Sequence, residues 1–596
     1  MKTFPISFFV VLCTFYIFQV SEAQIIHVPA DYSSIQEGIT AADPGDTVLV
    51  ADGLYYENIN YLGKKPLMVA SEFLVDGDTN HINNTIINGS QPDDPNFGSV
   101  VTFSSGEDTT SVLCGFTITG GTGNIESSVN YRMGGGVNIS FSGANLEYNH
   151  ILNNTVTYDN GIYGGGVQAG GPIGEIPWVV MRYNRICNNT AVSMSNEGSG
   201  GGVEIYYNTI MAENELFNNT VNAPLRCSGG GLEIAGAFGT IEVDVRNNII
   251  RNNKAISVSY FSEYSITGGL SMGFNLTGIV SGNDISFNEV ESSDNIWGQG
   301  TGVLVQEAVT NEFVFENNFI TNNTHTGLRC LGGGMLLYNT GGKFQNNIIC
   351  DNHGTHGGGI TIQDCTEAFP VLINNTITGN DAANQGGGLY IDNATAMVIN
   401  TIIWGNTSPR DPSISTGENV IAVLYSDVQG DETWPGDGNM NDDPVFLEDG
   451  YHIDGSSPCL DSGDESIHIE ENWYYAPLYD FEGDPRPAPF GGPDIGADEY
   501  FYVGHEELQV TGCRLHVYPN PADGISNIKF QISESKSVVL KVLDICGHEV
   551  VTLVNQVQAP GEQEVHFDVS GLPAGIYFIR MEAGDAVFTE KMVVMK

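Results

Sequence analysis

The chain has 596 residues, 41% of them hydrophobic, and sets 21 basic against 72 acidic side chains for a net charge of −51. That length holds two or more domains without limiting core burial. That charge excludes nucleic acid and anionic membranes as partners, because both repel a surface of this sign, and it keeps polyuronates away unless cations intervene. Residues 513–596 hold only 7 basic and 10 acidic side chains, so the acid load lies in the body, where solubility in salty surroundings accounts for it.

The first 23 residues read as a targeting segment. Lys2 gives a positive start, Phe8 to Val20 is almost wholly apolar, and Ser21-Glu22-Ala23 offers small residues at the two positions a signal peptidase reads. The apolar run is too short for a comfortable membrane span, and no later stretch is long enough either. Nine cysteines follow without paired spacing, and Cys187 and Cys350 share one repeat slot with Leu152, Phe217 and Thr321. Such cysteines are small apolar filler rather than a disulfide framework.

Residues 25–120 begin with a short helix that sets Ile35, Ile39 and Ala42 on one face, with Ser33 and Gln36 as a capping box. Strands are expected at 47–50, 67–70, 85–87, 100–103 and 112–118. A repeat then dominates. Its first half is a glycine triplet and an alternating strand, as in Gly134-Gly135-Gly136-Val137-Asn138-Ile139, recurring from Gly164, Gly200, Gly229, Gly332, Gly357 and Gly386. Its second half is N-x-[IL]-x-x-N, from Asn149, Asn184, Asn214, Asn248, Asn283, Asn318, Asn347 and Asn375. A ninth copy at Asn400 keeps Ile402 and lacks the closing Asn.

Units of 25 to 36 residues leave most copies no room for a ten-residue helix. Strands this short must pair with their copies in the next unit. Stacking one unit per coil, about 4.8 Å apart, pairs them and buries a column of Ile, Leu and Val. Glycine permits positive φ and close approach at the corners, and asparagine tolerates the left-handed region and bonds its stacked neighbours. Units longer than one coil imply loops on one face. The fold class is therefore all-β: a right-handed parallel β-helix over 24–500, a linker at 501–512, and a small Ig-like β-sandwich over 513–596, where seven alternating strands fit roughly 80 residues.

Two stretches resemble known families. Val28 to Ile59, together with Asp427-Val428-Gln429-Gly430, Asp443-Pro444-Val445-Phe446, Ser457 to Gly463 and Asp494 to Glu499, resembles pectin-lyase-like β-helix proteins and the tail that closes many bacterial secreted ones. This fold hosts lyases, hydrolases, esterases and inert adhesins, so the resemblance implies architecture more than activity. Val517 to Ala522, Leu543 to Val550, Asp568 to Arg580 and Lys591 to Val594 resemble the type A sorting domain of the type IX secretion system. Its motif falls on Pro519, Asn520, Pro521, Gly547, Gly571, Gly575 and Lys591. Cys546 departs from the residue more usual there. The resemblance implies the type IX machinery as partner, and an extracellular or outer-surface location in a Gram-negative bacterium.

Catalytic signatures are sparse. The arginine motifs of pectate lyases are missing, and so are the clustered aspartates with downstream His and Arg-x-Lys of polygalacturonases. The pectinesterase likeness fades after Gly53 to Glu57, and Gln363-Asp364 lacks its surrounding motif. The repeat nevertheless forms an outward column of Asn138, Gln168, Glu204, Glu233, Ser271, Leu304, Leu336, Thr361 and Tyr390. Within it Glu204 and Glu233 are stacked neighbours about 5 Å apart. An exposed, screened pair is the plain reading. A calcium site and a retaining-glycosidase pair are the sharper ones. The loop carrying Asp437, Asn439, Asn441 and Asp443 has oxygen donors on alternate residues, which would make calcium its cofactor, although a structural turn also fits. Asp480, Glu482 and Asp484 form a weaker version. The sequence thus favours a surface protein that binds polysaccharide or mediates attachment, and leans away from catalysis. The runner-up is a polysaccharide lyase or glycoside hydrolase.

Overall fold

The structure, a computed structural model, describes residues 23–500 except 172–175, 237–238, 258–265, 294–297, 309–311, 418, 470–471 and 489–490. In the C-terminal part it describes 514–518, 525–532, 535–543, 549–573, 575–583 and 586–594. The targeting segment up to Glu22, the 501–512 linker, and Pro519, Asn520, Pro521 and Gly547 lie outside the described residues. The chain forms two compact units, one up to Phe501 and one from Tyr502.

The first unit is a β-solenoid. Each coil contributes a strand to sheet A (14 strands, Ile25–Val28 to Val420–Leu424), to sheet B (13 strands, Gly53–Tyr55 to Asp427–Val428) and to sheet C (12 strands, Ile59–Asn60 to Ile414–Ser415). Within these sheets each strand pairs in parallel with its copy one coil away, as Val167–Ala169 does with Val203–Ile205. One continuous apolar core from Ile26 to Val428 fills the coil interior.

The corners follow from residue chemistry. From His150–Leu152 to Thr376–Thr378, each short B strand lies between two left-handed residues, as the first of them lies between Tyr148 (φ 54) and Asn153 (φ 56). The residue after each is a buried asparagine. One ladder runs from Asn149 through 184, 214, 248, 283, 318 and 347 to Asn375, each Nδ2 donating to the next Oδ1 at 2.9–3.1 Å. A second runs from Asn154 to Asn406 over the same distances. The last copy is one residue out of the sequence register. Ile403, not Ile402, pairs with Ile377, so Thr401 takes the first ladder position and Asn406 supplies the closing asparagine. At the other corner Gly134, Gly164, Gly200 and Gly229 take φ between 59° and 66°. A Cβ on Gly165 would lie 2.3 Å from the carbonyl oxygen of Gly201 in the next coil.

Part of the extra length of the units adds strands. It forms two further layers, sheet E (Thr155–Tyr158 and its copies) and sheet D (Tyr131–Met133, Ile162–Tyr163, Gly198–Ser199 and Cys227–Ser228, with an antiparallel start at Phe97–Gly98 and Gly123–Glu126). The two form a fin along the solenoid with its own strip of core, including Val156, Ile162, Val221, Cys227 and Ile266.

The helix Ile35–Ala41 stands at the N-terminal end and buries Ile35 and Ile39. Its N-cap is Ser34, not Ser33. Ser34 Oγ accepts the Glu37 N–H while Glu37 accepts from Ser33, so the box closes one residue later than the sequence spacing suggests. Glu57 accepts the Ile35 and Gln36 N–H groups at 3.0 and 2.9 Å, a carboxylate at the helix positive end. The seven cysteines among the described residues are free and buried.

The second unit has a three-stranded antiparallel sheet (Arg514–Tyr518, Ile525–Ile532, Gly561–Asp568) and a four-stranded one (Glu549–Gln558, Lys536–Leu543, Gly575–Ala583, Ala586–Val594). Ile528 and Phe530 of the first share a core with Val538, Leu540, Ile579 and Met581 of the second.

Candidate functional site: a cleft between fin and solenoid

Alternation in the C strands sends Val137, Val167 and Val203 into the coil and Asn138, Gln168 and Glu204 outward. Sheet D of the fin stands over this outward face. Ser199 Oγ donates to Glu204, and Ser228 and Ser271 bond at 2.8 Å. The two faces thus bound a cleft along the solenoid.

At the N-terminal end the cleft is open, with a cavity of about 380 Å³. Asn60, Thr102, Asn138 and Ser140 form its floor, Ser99, Asn124, Ile125 and Met133 its wall, and Phe97 and Phe141 lie on its edge. Phe97 is 61% and Phe141 40% exposed. The polar groups are braced: Asn124 Nδ2 donates to Thr102 Oγ1 at 3.1 Å, its Oδ1 accepts the Ser99 N–H, and Ser140 Oγ donates to Asn138 Oδ1. Glu126 is the one carboxylate in the lining, and no lysine or arginine takes part. Neutral amides and hydroxyls beside exposed aromatic rings suit a hydroxyl-rich ligand of little charge.

Further along, the cleft closes. The column stacks in the expected register, with Gln168 beside Glu204 and Glu204 beside Glu233. It is not solvent-exposed, however. Glu204 and Glu233 are both 0% exposed, because the fin covers them. The plain reading of a screened surface pair is therefore corrected. Glu204 Oε1 accepts from Ser199 and from the Tyr206 hydroxyl, the latter at 2.7 Å. Glu233 Oε1 accepts from the Arg226 guanidinium. Burial, and then Glu233, push the Glu204 carboxyl well above the usual range. A polymer has no path to either carboxylate as they stand.

The Asp437–Asp443 loop continues the corner chemistry. Asn439 Oδ1 accepts the Ser426 N–H while its Nδ2 donates to Val423 and Trp434 carbonyls. Asn441 bonds Gly430 twice, Asp443 closes a local turn onto Val445, and Asp437 is exposed. Both amides are thereby engaged as turn-formers. Asp480 likewise accepts the N–H groups of Glu482, Gly483 and Asp484. Asp52, Glu72 and His81 bring ligand atoms together at the surface, where the Asp52–His81 hydrogen bond of 2.6 Å makes an ion-pair cluster.

The feature that sequence reasoning missed is the open end of the cleft. Phe97 and Asn124 belong to no repeat copy, and nothing in their spacing marks them as wall.

Residues 516–595 match the family described as secretion system C-terminal sorting domain. Of the motif residues, Gly571, Gly575 and Lys591 fall on described positions, Gly575 and Lys591 in strands of the four-stranded sheet. No curated protein matches the chain. The chain is accordingly a secreted or surface protein, built as a β-solenoid and carrying a type IX sorting tail that implies contact with that secretion machinery. Among the described residues no helix is long and apolar enough to cross a membrane.

Proposed function

We propose that this exported solenoid binds a neutral, hydroxyl-rich polysaccharide at the outer surface of a Gram-negative cell, through the open end of the cleft. The supporting observation is the lining: braced Asn and Ser/Thr groups between two exposed phenylalanines, with a single carboxylate and no cation. Sugar hydroxyls take such amide and hydroxyl partners, and the apolar face of a sugar ring covers aromatic surface. The net charge of −51 favours a neutral glycan over a polyuronate.

The test is a panel of neutral and acidic polysaccharides, scored for retention of the purified protein and for new reducing or unsaturated ends. Retention on a neutral glycan is expected, with Phe97→Ala and Asn124→Ala each weakening it about tenfold, the loss of roughly 1.4 kcal/mol. New chain ends would move the reading to the lyase or hydrolase class. Binding lost in Trp473→Ala but kept in Phe97→Ala would transfer the site to the exposed strand pair Ser466–Ile469/Asn472–Tyr475, where the His468 and Trp473 rings lie 4.7 Å apart at a 37° tilt.

A further inference from the structure

Among the described residues, three neighbouring side chains of the closed cleft each keep one oxygen without a hydrogen-bond donor: Gln168 Oε1, Glu204 Oε2 and Glu233 Oε2. All three side chains are buried, the two glutamates completely. They stand on three consecutive strands of sheet C, in register. A buried oxygen without a partner costs about 1–3 kcal/mol, and more when charged. Such groups are rare one at a time in folded proteins, and here three stand in a row. Their other atoms do not explain them. Glu204 Oε1 is already held by Ser199 and Tyr206, and Glu233 Oε1 by Arg226.

Charge points the same way. Three carboxylates act on this part of the cleft: Glu204, Glu233 and Glu197, which accepts from the Tyr163 hydroxyl and attracts Arg226. Arg226 is the one cation among the groups acting on Glu204. With all of them ionised the cluster has a net charge of −2, which one divalent cation cancels. The donor set is oxygen only, carboxylate and amide, without histidine or cysteine. That is the chemistry of a hard cation. Adjacent parallel strands lie about 4.8 Å apart, so the three strands span about 10 Å, and an ion set at Glu204, the middle of the three, is about one strand spacing from Gln168 on one side and from Glu233 on the other. Magnesium prefers to keep several waters, which a closed site between two sheets does not favour.

We propose that Gln168, Glu204 and Glu233 hold a buried calcium ion that pins the fin to sheet C. The ion is structural. It joins the coils and ties them, through Ser199 and Arg226, to the segments that cover them.

The experiment uses the full-length protein. Calcium content is measured after exhaustive washing in chelator-free buffer, and melting is followed with EGTA, with calcium and with magnesium. The expected result is about one retained calcium per chain, a melting temperature raised by calcium and little by magnesium, and loss of both effects in Glu204→Gln/Glu233→Gln. Arg226→Lys and an Asp437→Asn/Asp443→Asn variant should keep the retained ion. No retained calcium in the wild-type protein overturns the proposal, because a carboxyl pair that shares a proton or orders water needs no ion. Retention unchanged in the double glutamine variant overturns it as well, and loss in the Asp437/Asp443 variant would move the ion to that loop. If the double variant does not fold, Gln168→Leu is used. It removes one ligand oxygen without changing charge, and unchanged calcium affinity there removes Gln168 from the site.

Discussion

The side chain that repeats most faithfully is the ladder asparagine, and its chemistry sets what one substitution does. Asn219 Oδ1 accepts the N–H and the Nδ2 of Asn189. Its own Nδ2 donates to the Ile186 carbonyl and to Asn253 Oδ1. Asn219→Ala therefore orphans groups on two neighbouring coils and opens a small cavity. A loss of about 2–5 kcal/mol is expected, read as a lower urea midpoint for the solenoid. Thr serves naturally at position 401, where its hydroxyl accepts the Asn375 N–H at 3.3 Å, so Asn219→Thr should cost less than Asn219→Ala. An equal cost would mean that cavity volume, not the ladder, carries the effect. The motif N-x-[IL]-x-x-N was legible because every coil must solve the same corner. The register at 400–406 was not, since Asn400 mimics a ladder residue while its left-handed φ of 47° marks it as the corner before one.

At the scale of elements, the legible parts were those the repeat enforces. Sheet C and its outward column could be read from the glycine triplet, because a Cβ at most of its positions would press on the backbone of the next coil, although Thr267 and Thr301 each occupy one of them. The fin could not. Several of its sheet E strands open on the threonine of an Asn-Asn-Thr triplet, as at Thr155, Thr190 and Thr220, but the triplet belongs to the corner and says nothing of the layer that follows, and the two-residue strands of sheet D, such as Gly198–Ser199, share no motif. The burial of Glu204 and Glu233 follows from that cover and from nothing within their own strands. The closing tail shows the converse. Its familiar Asp494 to Glu499 segment is braced within the tail by a buried ion pair, Arg486–Glu499 at 2.9 Å, and meets the last coils through hydrogen bonds, Arg486 donating to Asn346 and Asn374 Nδ2 to the Asp494 carbonyl. Burial, and then Glu499, push the Asp494 carboxyl up to about 7. Burial likewise lifts Asp498 and Asp427 to about 6. Each of these folded-state values lies above the unfolded value of about 3.9. The linkage sign is therefore that stability is fullest below about pH 4 for these groups and is lost as pH rises towards 7. Backbone exchange in residues 457–500, corrected for intrinsic rates, should be faster at pH 8 than at pH 5.5. Asp494→Asn should reduce that difference, and an undiminished difference would assign it to other groups.

At the scale of the molecule, the solenoid and the sorting domain are two answers to different physical demands. The solenoid core runs from Ile26 to Val428, and the sorting domain encloses its own core around Phe530, Leu540 and Ile579. No residue belongs to both. Each half thus buries its apolar surface without the other, and the strands of the solenoid find their partners in neighbouring coils. Removing residues 514–596 takes away no strand from sheets A, B or C and no residue of the closing tail. The truncated protein should therefore keep its β-sheet circular dichroism and whatever glycan retention the full-length protein shows, and its melting transition should shift by no more than a few degrees. What it should lose is passage to the cell surface, because the sorting domain at 516–595 is the part the secretion machinery reads. In its native host the truncated chain should be retained by the cell, folded and protease-resistant. Normal surface display of that chain would show that the address lies in the solenoid. Loss of both folding and display would show that the halves depend on each other despite their separate cores.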